Sequence, residues 1–216
     1  MESRTEPSIF RNAIAIIRAN GRPYVVINIV YYGLVLWGMI VAALFPPLQH
    51  RLLAGLHAQA QGKTLLALGA KVYASGSVPL AALATFLVNS VAGAFASITL
   101  PSALIPFSGF VVGFCRPVIW GLTLSPTSPK LQLALLPHSL TLLIEGQAYV
   151  VAILGSYLWG KWVARPGSSG FATWKHGYAA GLRANVQLYG LILALLAVAA
   201  IYEAAEVIAL MRLMRN

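Results

Sequence analysis

The residues best suited to chemistry lie in an apolar stretch, residues 131–159, that holds His138 and Glu145. The stretch is long enough to cross a bilayer, and an ionisable side chain at that depth costs roughly 2.5 kcal/mol or more. Such a group needs a partner, a water-filled cavity or a functional task. Arg116 lies in another apolar segment, and we expect it to pair with Glu145. A His138–Glu145 pair is the alternative, because the two residues return to nearly the same helix face.

Three buried ionisable groups could hold helices together or pass protons along a polar path. For His138, which follows a proline, capping of a helix start is the structural alternative. Glu203 and Glu206 are one helical turn apart, so they could face a cation or a partner's basic residue, or face water at a span end. Asn89 and Gln147 are secondary candidates that we expect to bridge helices by hydrogen bonds.

Motifs for catalysis are absent. The sequence contains no P-loop, no glycine-rich dinucleotide fingerprint, no two-histidine zinc helix and no nucleophile elbow. Ser139 beside His138 does not form a catalytic pair, because adjacent helical residues point about 100° apart. We therefore expect a non-enzymatic protein with no catalytic residues, no metal ion and no cofactor.

Composition places the chain in the membrane class. Of its 216 residues 59% are hydrophobic and 9% are charged, which leaves too little polar surface for a soluble domain. The net charge of +10 comes from basic residues scattered at the ends of apolar segments, which suits lipid headgroups better than nucleic acid. Cys115 is the only cysteine, so no intramolecular disulfide forms.

The apolar runs predict an all-α, polytopic transmembrane helix bundle, built as one membrane domain over residues 24–216. An interfacial helix over residues 1–23 precedes it, with an apolar stripe and the arginines Arg4, Arg11, Arg18 and Arg22. A break at Pro137 would make a sixth, re-entrant piece. The five predicted spans cover residues 24–45, 78–100, 102–124, 131–160 and 186–210, and amphipathic surface segments cover residues 48–77 and 161–185.

Two further features concern packing and orientation. Gly109 and Gly113 form a small-xxx-small pattern that lets helices approach closely, either within one chain or in a homodimer, which we expect. Basic residues concentrate before the first span and between the fourth and fifth. With five spans these regions share a side, so we expect the N-terminus in the cytoplasm.

The run Leu135-Leu136-Pro137-His138, with a later glutamate and the small-residue stretch Ala152-Ile153-Leu154-Gly155, resembles the stage II sporulation protein M family. Residues 86–89, the pair Gly109 and Gly113, the segment Gly181-Leu182-Arg183-Ala184-Asn185 and the final apolar helix also fit that pattern. The family typically has glycine after the histidine and glutamate four residues after it. Here Ser139 and Leu142 stand at those positions.

This resemblance implies a multi-pass protein of the bacterial or archaeal inner membrane that works with partner proteins. We therefore expect a scaffold or subunit of a membrane complex that acts by binding. The alternative is a small transporter or channel whose polar path is lined by Arg116, His138 and Glu145.

Overall fold

The computed structural model describes residues 9–62 and 64–214, and all regular elements within them are helices. The predicted all-α fold is therefore confirmed. Four helical stretches in the described part are long and apolar enough to cross a membrane. The protein is a multi-pass membrane protein. These stretches are Gly21–Leu44, Val78–Leu104, Pro129–Ala164 and Trp174–Leu213.

The N-terminal region forms two helices, α1 (Ile9–Ala19) and α2 (Gly21–Leu44). They are separated at Asn20, whose side-chain amide donates to the carbonyl of Ile16 at 2.9 Å. Ala13 is fully buried, so the apolar stripe of α1 packs on the bundle. The helix predicted over residues 1–23 is thus divided, and Arg4 lies outside the described residues.

Two helices occupy the region predicted as amphipathic surface segments, α3 (Pro46–Gln61) and α4 (Leu65–Ala74). The two prolines that begin α3 suit a first turn, where the amide donors have no intrahelical partner. Thr64 caps α4 by accepting from the amide of Ala67 at 3.1 Å.

The second spanning stretch changes its helical form along its length. It consists of α5 (Val78–Leu87), a π-helical segment (Val88–Thr99) and α6 (Leu100–Leu104). The chain then turns, and Phe107 takes a left-handed conformation with φ of 68°. Pro101 is tolerated in the first turn of α6, so the break lies beyond it.

The predicted third span forms two short helices, α7 (Ser108–Gly113) and α8 (Cys115–Leu124). Together, α7 and α8 run alongside α2 in the same direction. Phe110 of α7 and Ile27 line the same surface cavity, whereas Ser125, just after α8, donates to the carbonyl of Met39 at 2.9 Å. The pair therefore follows most of the length of α2, although it is shorter than the four spanning stretches.

Helix α9 (Pro129–Ala164) is continuous through Pro137 and forms the centre of the bundle. No separate re-entrant piece exists at Pro137, so the six-span alternative is not supported. Pro137 has no amide hydrogen to donate to the carbonyl of Leu133, one turn earlier in the helix. The carbonyl of Pro137 itself accepts a hydrogen bond from the hydroxyl of Tyr202 at 3.1 Å.

The last helix, α10 (Trp174–Leu213), follows a 3₁₀ turn at Gly167–Ser169 and packs antiparallel to α9. The second half of region 161–185, predicted as a surface segment, is the start of this helix. Gly177 and Gly181 explain the difference, because they let α10 approach the backbone of Trp162 and the ring of Trp159. Small residues keep this part packed on α9.

The contacts sort the helix termini into two ends of the bundle. One, here called the α4 end, holds α3 and α4, the C-termini of α2, α8 and α10, and the N-termini of α5 and α9. At this end Gln49 of α3 donates to the carbonyl of Ser125 at 3.0 Å. At the opposite end Tyr178 of α10 donates to the carbonyl of Ala103 at 3.2 Å. The chain thus returns to the α4 end along α7 and α8.

Candidate functional site

The centre of the bundle contains the ion pair predicted between Arg116 and Glu145. Arg116 Nη1 of α8 lies 3.0 Å from Glu145 Oε1 of α9. The side chain of Glu145 is 7% exposed and that of Arg116 is 28% exposed. The same nitrogen donates to the hydroxyl of Tyr149 at 2.6 Å. These contacts attach the short helix α8 to the central helix.

Aromatic rings surround the guanidinium of Arg116. Its Cζ lies 4.1 Å from the ring centroid of Tyr149 and 5.6 Å from that of Trp120, which is cation–π geometry. Tyr31 of α2 contacts Trp120 edge-on, with centroids 6.2 Å apart. The Tyr31 hydroxyl is fully buried and has no hydrogen-bond partner within the described part of the chain.

The π-helical segment closes this centre from a third side. A Cβ at Gly93 would lie 3.0 Å from Arg116 Nη2 and would overlap the hydroxyl of Tyr149. Asn89 takes part through its main chain, because its carbonyl accepts a long hydrogen bond of 3.5 Å from Tyr149. Long π-helical segments are rare, and single π turns are frequent at functional sites. No pattern in the sequence predicted this π-helical segment.

His138 pairs with Glu206 and not with Glu145. Its Nδ1 lies 2.6 Å from Glu206 Oε1, and the hydroxyl of Thr141 donates to Glu206 Oε2 at 3.1 Å. The predicted His138–Glu145 alternative is wrong, because seven helical residues separate the two groups by about 10 Å along α9. Each glutamate instead meets the basic group of a neighbouring helix.

Glu203 and Glu206 have different surroundings. Glu206 is 8% exposed, so the prediction that it faces water is wrong. The half-buried Glu203 lies near the hydroxyl of Tyr73, which is also hydrogen-bonded to Thr85 at 2.7 Å. The pKa of Tyr73 is raised, mainly by burial of its phenol and secondly by the nearby negative charge of Glu203. The described residues contain no cluster of three metal-ligating groups, and so none that includes these two carboxylates.

Gln147 bridges helices as its position predicted. Its amide oxygen accepts from Tyr24 at 2.6 Å, and its amide nitrogen donates to Asn28 at 2.7 Å and to Tyr32 at 3.0 Å. These partners lie on α2 at intervals of four residues, which is one helix face. That spacing was visible in the sequence and could have identified them.

The glycine pair of α7 packs inside the chain. A Cβ at Gly109 would overlap the carbonyl of Ile98, and one at Gly113 would overlap the side chain of Ile153. This face is therefore filled by the π-helical segment and α9, and it is not free for a second copy. A second close approach, between Gly38 of α2 and Gly121 of α8, was not predicted.

Within the part of the chain that the structure describes, the arrangement provides ion pairs between helices. The hydroxyl of Ser139 donates to the carbonyl of Leu136 in its own helix. Two surface cavities, one beside Arg22 and one beside His50, are lined by none of the ion-paired residues. Cys115 is exposed on α8.

Comparison with known proteins gives no further guide: no family model, no curated protein and no solved structure matches the chain.

Proposed function

We propose that the protein is a non-enzymatic scaffold or subunit of a membrane complex. This proposal rests on one observation: the ionisable side chains at the centre of the bundle are bound to other side chains of the same protein. Arg116 is bound to Glu145 and to Tyr149, and His138 is bound to Glu206. Groups engaged in this way fix neighbouring helices in place, because removal of either partner leaves a charge without its counter-charge.

The family proposal is that the chain is a relative of stage II sporulation protein M, located in a bacterial or archaeal inner membrane. It is supported by the Pro137-His138 pair, whose histidine lies on the central helix and contacts a carboxylate of α10. In this proposal the protein binds partner proteins and does not process a substrate.

We further propose five crossings with a cytoplasmic N-terminus. Arg18 and Arg22 precede or begin α2, and Lys161, Arg165 and Lys175 flank the connection between α9 and α10. The path of the chain brings these two regions to the same end of the bundle. Basic residues favour the cytoplasmic side of a membrane, which supports this orientation.

A homodimer remains part of the proposal, through a face other than Gly109 and Gly113. The outer face of α8 is a candidate, because Cys115 and Ile119 are exposed there. Native mass spectrometry of the protein released from nanodiscs tests it. We expect the mass of two chains, and one chain at every protein concentration would contradict the dimer.

The second candidate is a proton or ion path, which the alignment of groups along α9 favours. His138, Thr141, Glu145 and Tyr149 recur at helical spacing on one face of this helix. Such a row could carry protons if water reached both of its ends.

Proteoliposomes separate the two candidates. For a scaffold, we expect proton and ion flux equal to that of empty vesicles, and no change with Glu145→Gln. Flux above that background, altered by Glu145→Gln but not by Arg165→Gln on the exposed connection, would contradict the scaffold proposal. For a scaffold, we also expect that affinity capture from native membranes recovers a partner protein in a fixed ratio to the wild-type chain.

A further inference from the structure

The carboxylate of Glu206 is buried beside a group that can accept a proton. Its side chain is 4% exposed, and both of its oxygens are engaged, one with His138 Nδ1 at 2.6 Å and one with the hydroxyl of Thr141 at 3.1 Å. Within the described residues, His138 is the one basic side chain within 4.0 Å of this carboxylate.

Charge balance at this position requires one additional proton. A neutral imidazole could donate its Nδ1–H to Glu206, but the pair would then carry a net negative charge away from water. An uncompensated charge in such surroundings costs several kcal/mol. A proton on His138 or on Glu206 makes the pair neutral overall while both hydrogen bonds are kept.

The neighbouring groups increase the demand for a proton. Glu203 lies one turn before Glu206 on α10, and Glu145 lies two turns after His138 on α9. The charge of Glu145 is partly offset by Arg116 of α8. The titratable side chain of α4 that faces this region is the phenol of Tyr73. Among the residues that the structure describes, three carboxylates therefore share this part of the bundle with the permanent cation of Arg116.

We infer that His138, Glu206 and Thr141 form a proton-binding site that holds one proton between imidazole and carboxylate. The side chain of His138 is 20% exposed, which leaves a route for the proton. His138 lies in the half of α9 nearer the α4 end, and we expect proton exchange from that side of the bundle.

A proton fits this site better than a metal ion does. The Thr141 hydroxyl donates to the carboxylate, and His138 directs Nδ1 at it, so both neighbours already occupy the oxygens of Glu206. No three metal-ligating groups come together in residues 9–62 and 64–214. The bound proton joins α9 to α10, and its loss weakens that contact.

Nitrogen NMR of the protein in nanodiscs, with labelled histidine, tests the inference directly. The exposed histidines His50, His57 and His176 serve as internal references, and His138→Gln assigns the remaining signal. At about pH 7, where an unperturbed imidazole is mostly neutral, we expect His138 to carry protons on both nitrogens. Carbon NMR of labelled glutamate detects the alternative position of the same proton, on Glu206.

Either location of the proton supports the site. A neutral His138 together with an ionised Glu206 at about pH 7 would overturn it. A second measurement compares unfolding midpoints between about pH 5 and pH 9. The wild type should lose stability as the proton is removed at high pH, whereas Glu206→Gln, which keeps both contacts without the charge, should lose less. Equal pH dependence of the two proteins would also overturn the inference.

The inference does not depend on the scaffold proposal. Proton binding is measured without flux, and absence of flux leaves it unaffected. Ser139→Ala is the matched control, because this neighbouring hydroxyl donates to the carbonyl of Leu136 in its own helix.

Discussion

Single residues at the centre of the bundle show how a charged side chain is kept at membrane depth. Arg116 uses one nitrogen for both Glu145 and Tyr149, and its charge lies over aromatic rings. A carboxylate and a guanidinium in contact stabilise each other, but each becomes costly when the other is removed. We therefore expect that the loss of either residue destabilises the protein, even if the intact pair contributes little to the free energy of unfolding.

A double-mutant cycle measures this dependence. Glu145→Ala should lower the free energy of unfolding by about 3 kcal/mol, because it leaves the half-buried Arg116 charge without its counter-charge. Adding Arg116→Met should recover part of that loss. Reversible unfolding in mixed micelles provides the measurement. As a control, Arg165→Met at the exposed end of α9 should change stability by less than about 0.5 kcal/mol.

Additive effects of the two substitutions would show that the pair is not coupled, which would contradict the contact. So would an unchanged stability of Glu145→Ala.

The ion pair could be predicted from residue types, but the partner of His138 could not. Arg116 and Glu145 are opposite charges on segments joined by a short turn, so their helices had to be neighbours. Glu206 lies near the chain terminus, and its approach to His138 depends on the alignment of α10 along α9. The small residues that set this alignment give no distance information in the sequence.

At the scale of helices, close approaches at glycine decide which faces meet. Gly38 and Gly121 bring α2 and α8 into backbone contact, since a Cβ at Gly38 would lie 2.7 Å from the carbonyl of Val118. This contact supports the helix that carries Arg116. The apolar runs predicted the approximate positions of the four long spanning stretches, although α10 begins at Trp174 and not at residue 186. The predicted third span is divided into α7 and α8, and the sequence pattern predicted neither this division nor the π-helical segment.

Substitution of Gly121 tests this crossing. Gly121→Ala should destabilise the protein by about 1–3 kcal/mol, because the added Cβ overlaps the carbonyl of Val35. Gly33→Ala is the matched control on α2, where no atom lies within 4 Å of the added carbon. It should be neutral or stabilising, by up to about 1 kcal/mol. Equal effects of the two variants on the thermal midpoint would contradict the close crossing.

At the scale of the whole molecule, five crossings require that α7 and α8 together cross the membrane. Their combined length, Ser108–Leu124, is shorter than the spans that hydropathy identifies. Nevertheless, Ser125 just after α8 is hydrogen-bonded to Met39, and Phe110 of α7 lines a cavity together with Arg22 at the start of α2. If this pair crosses, Arg116 reaches Glu145 inside the bilayer and the two termini lie on opposite sides.

Site-directed labelling of cysteine tests this claim most directly. In a Cys115→Ser background, Ile105→Cys marks the turn before α7 and Lys130→Cys marks the start of α9; both positions are exposed. A membrane-impermeant maleimide is added to sealed right-side-out vesicles, and then to inverted ones. We predict that each cysteine reacts from one side only and that the two sides are opposite. Reaction of both cysteines from the same side would show that α7 and α8 do not cross, and would contradict the account.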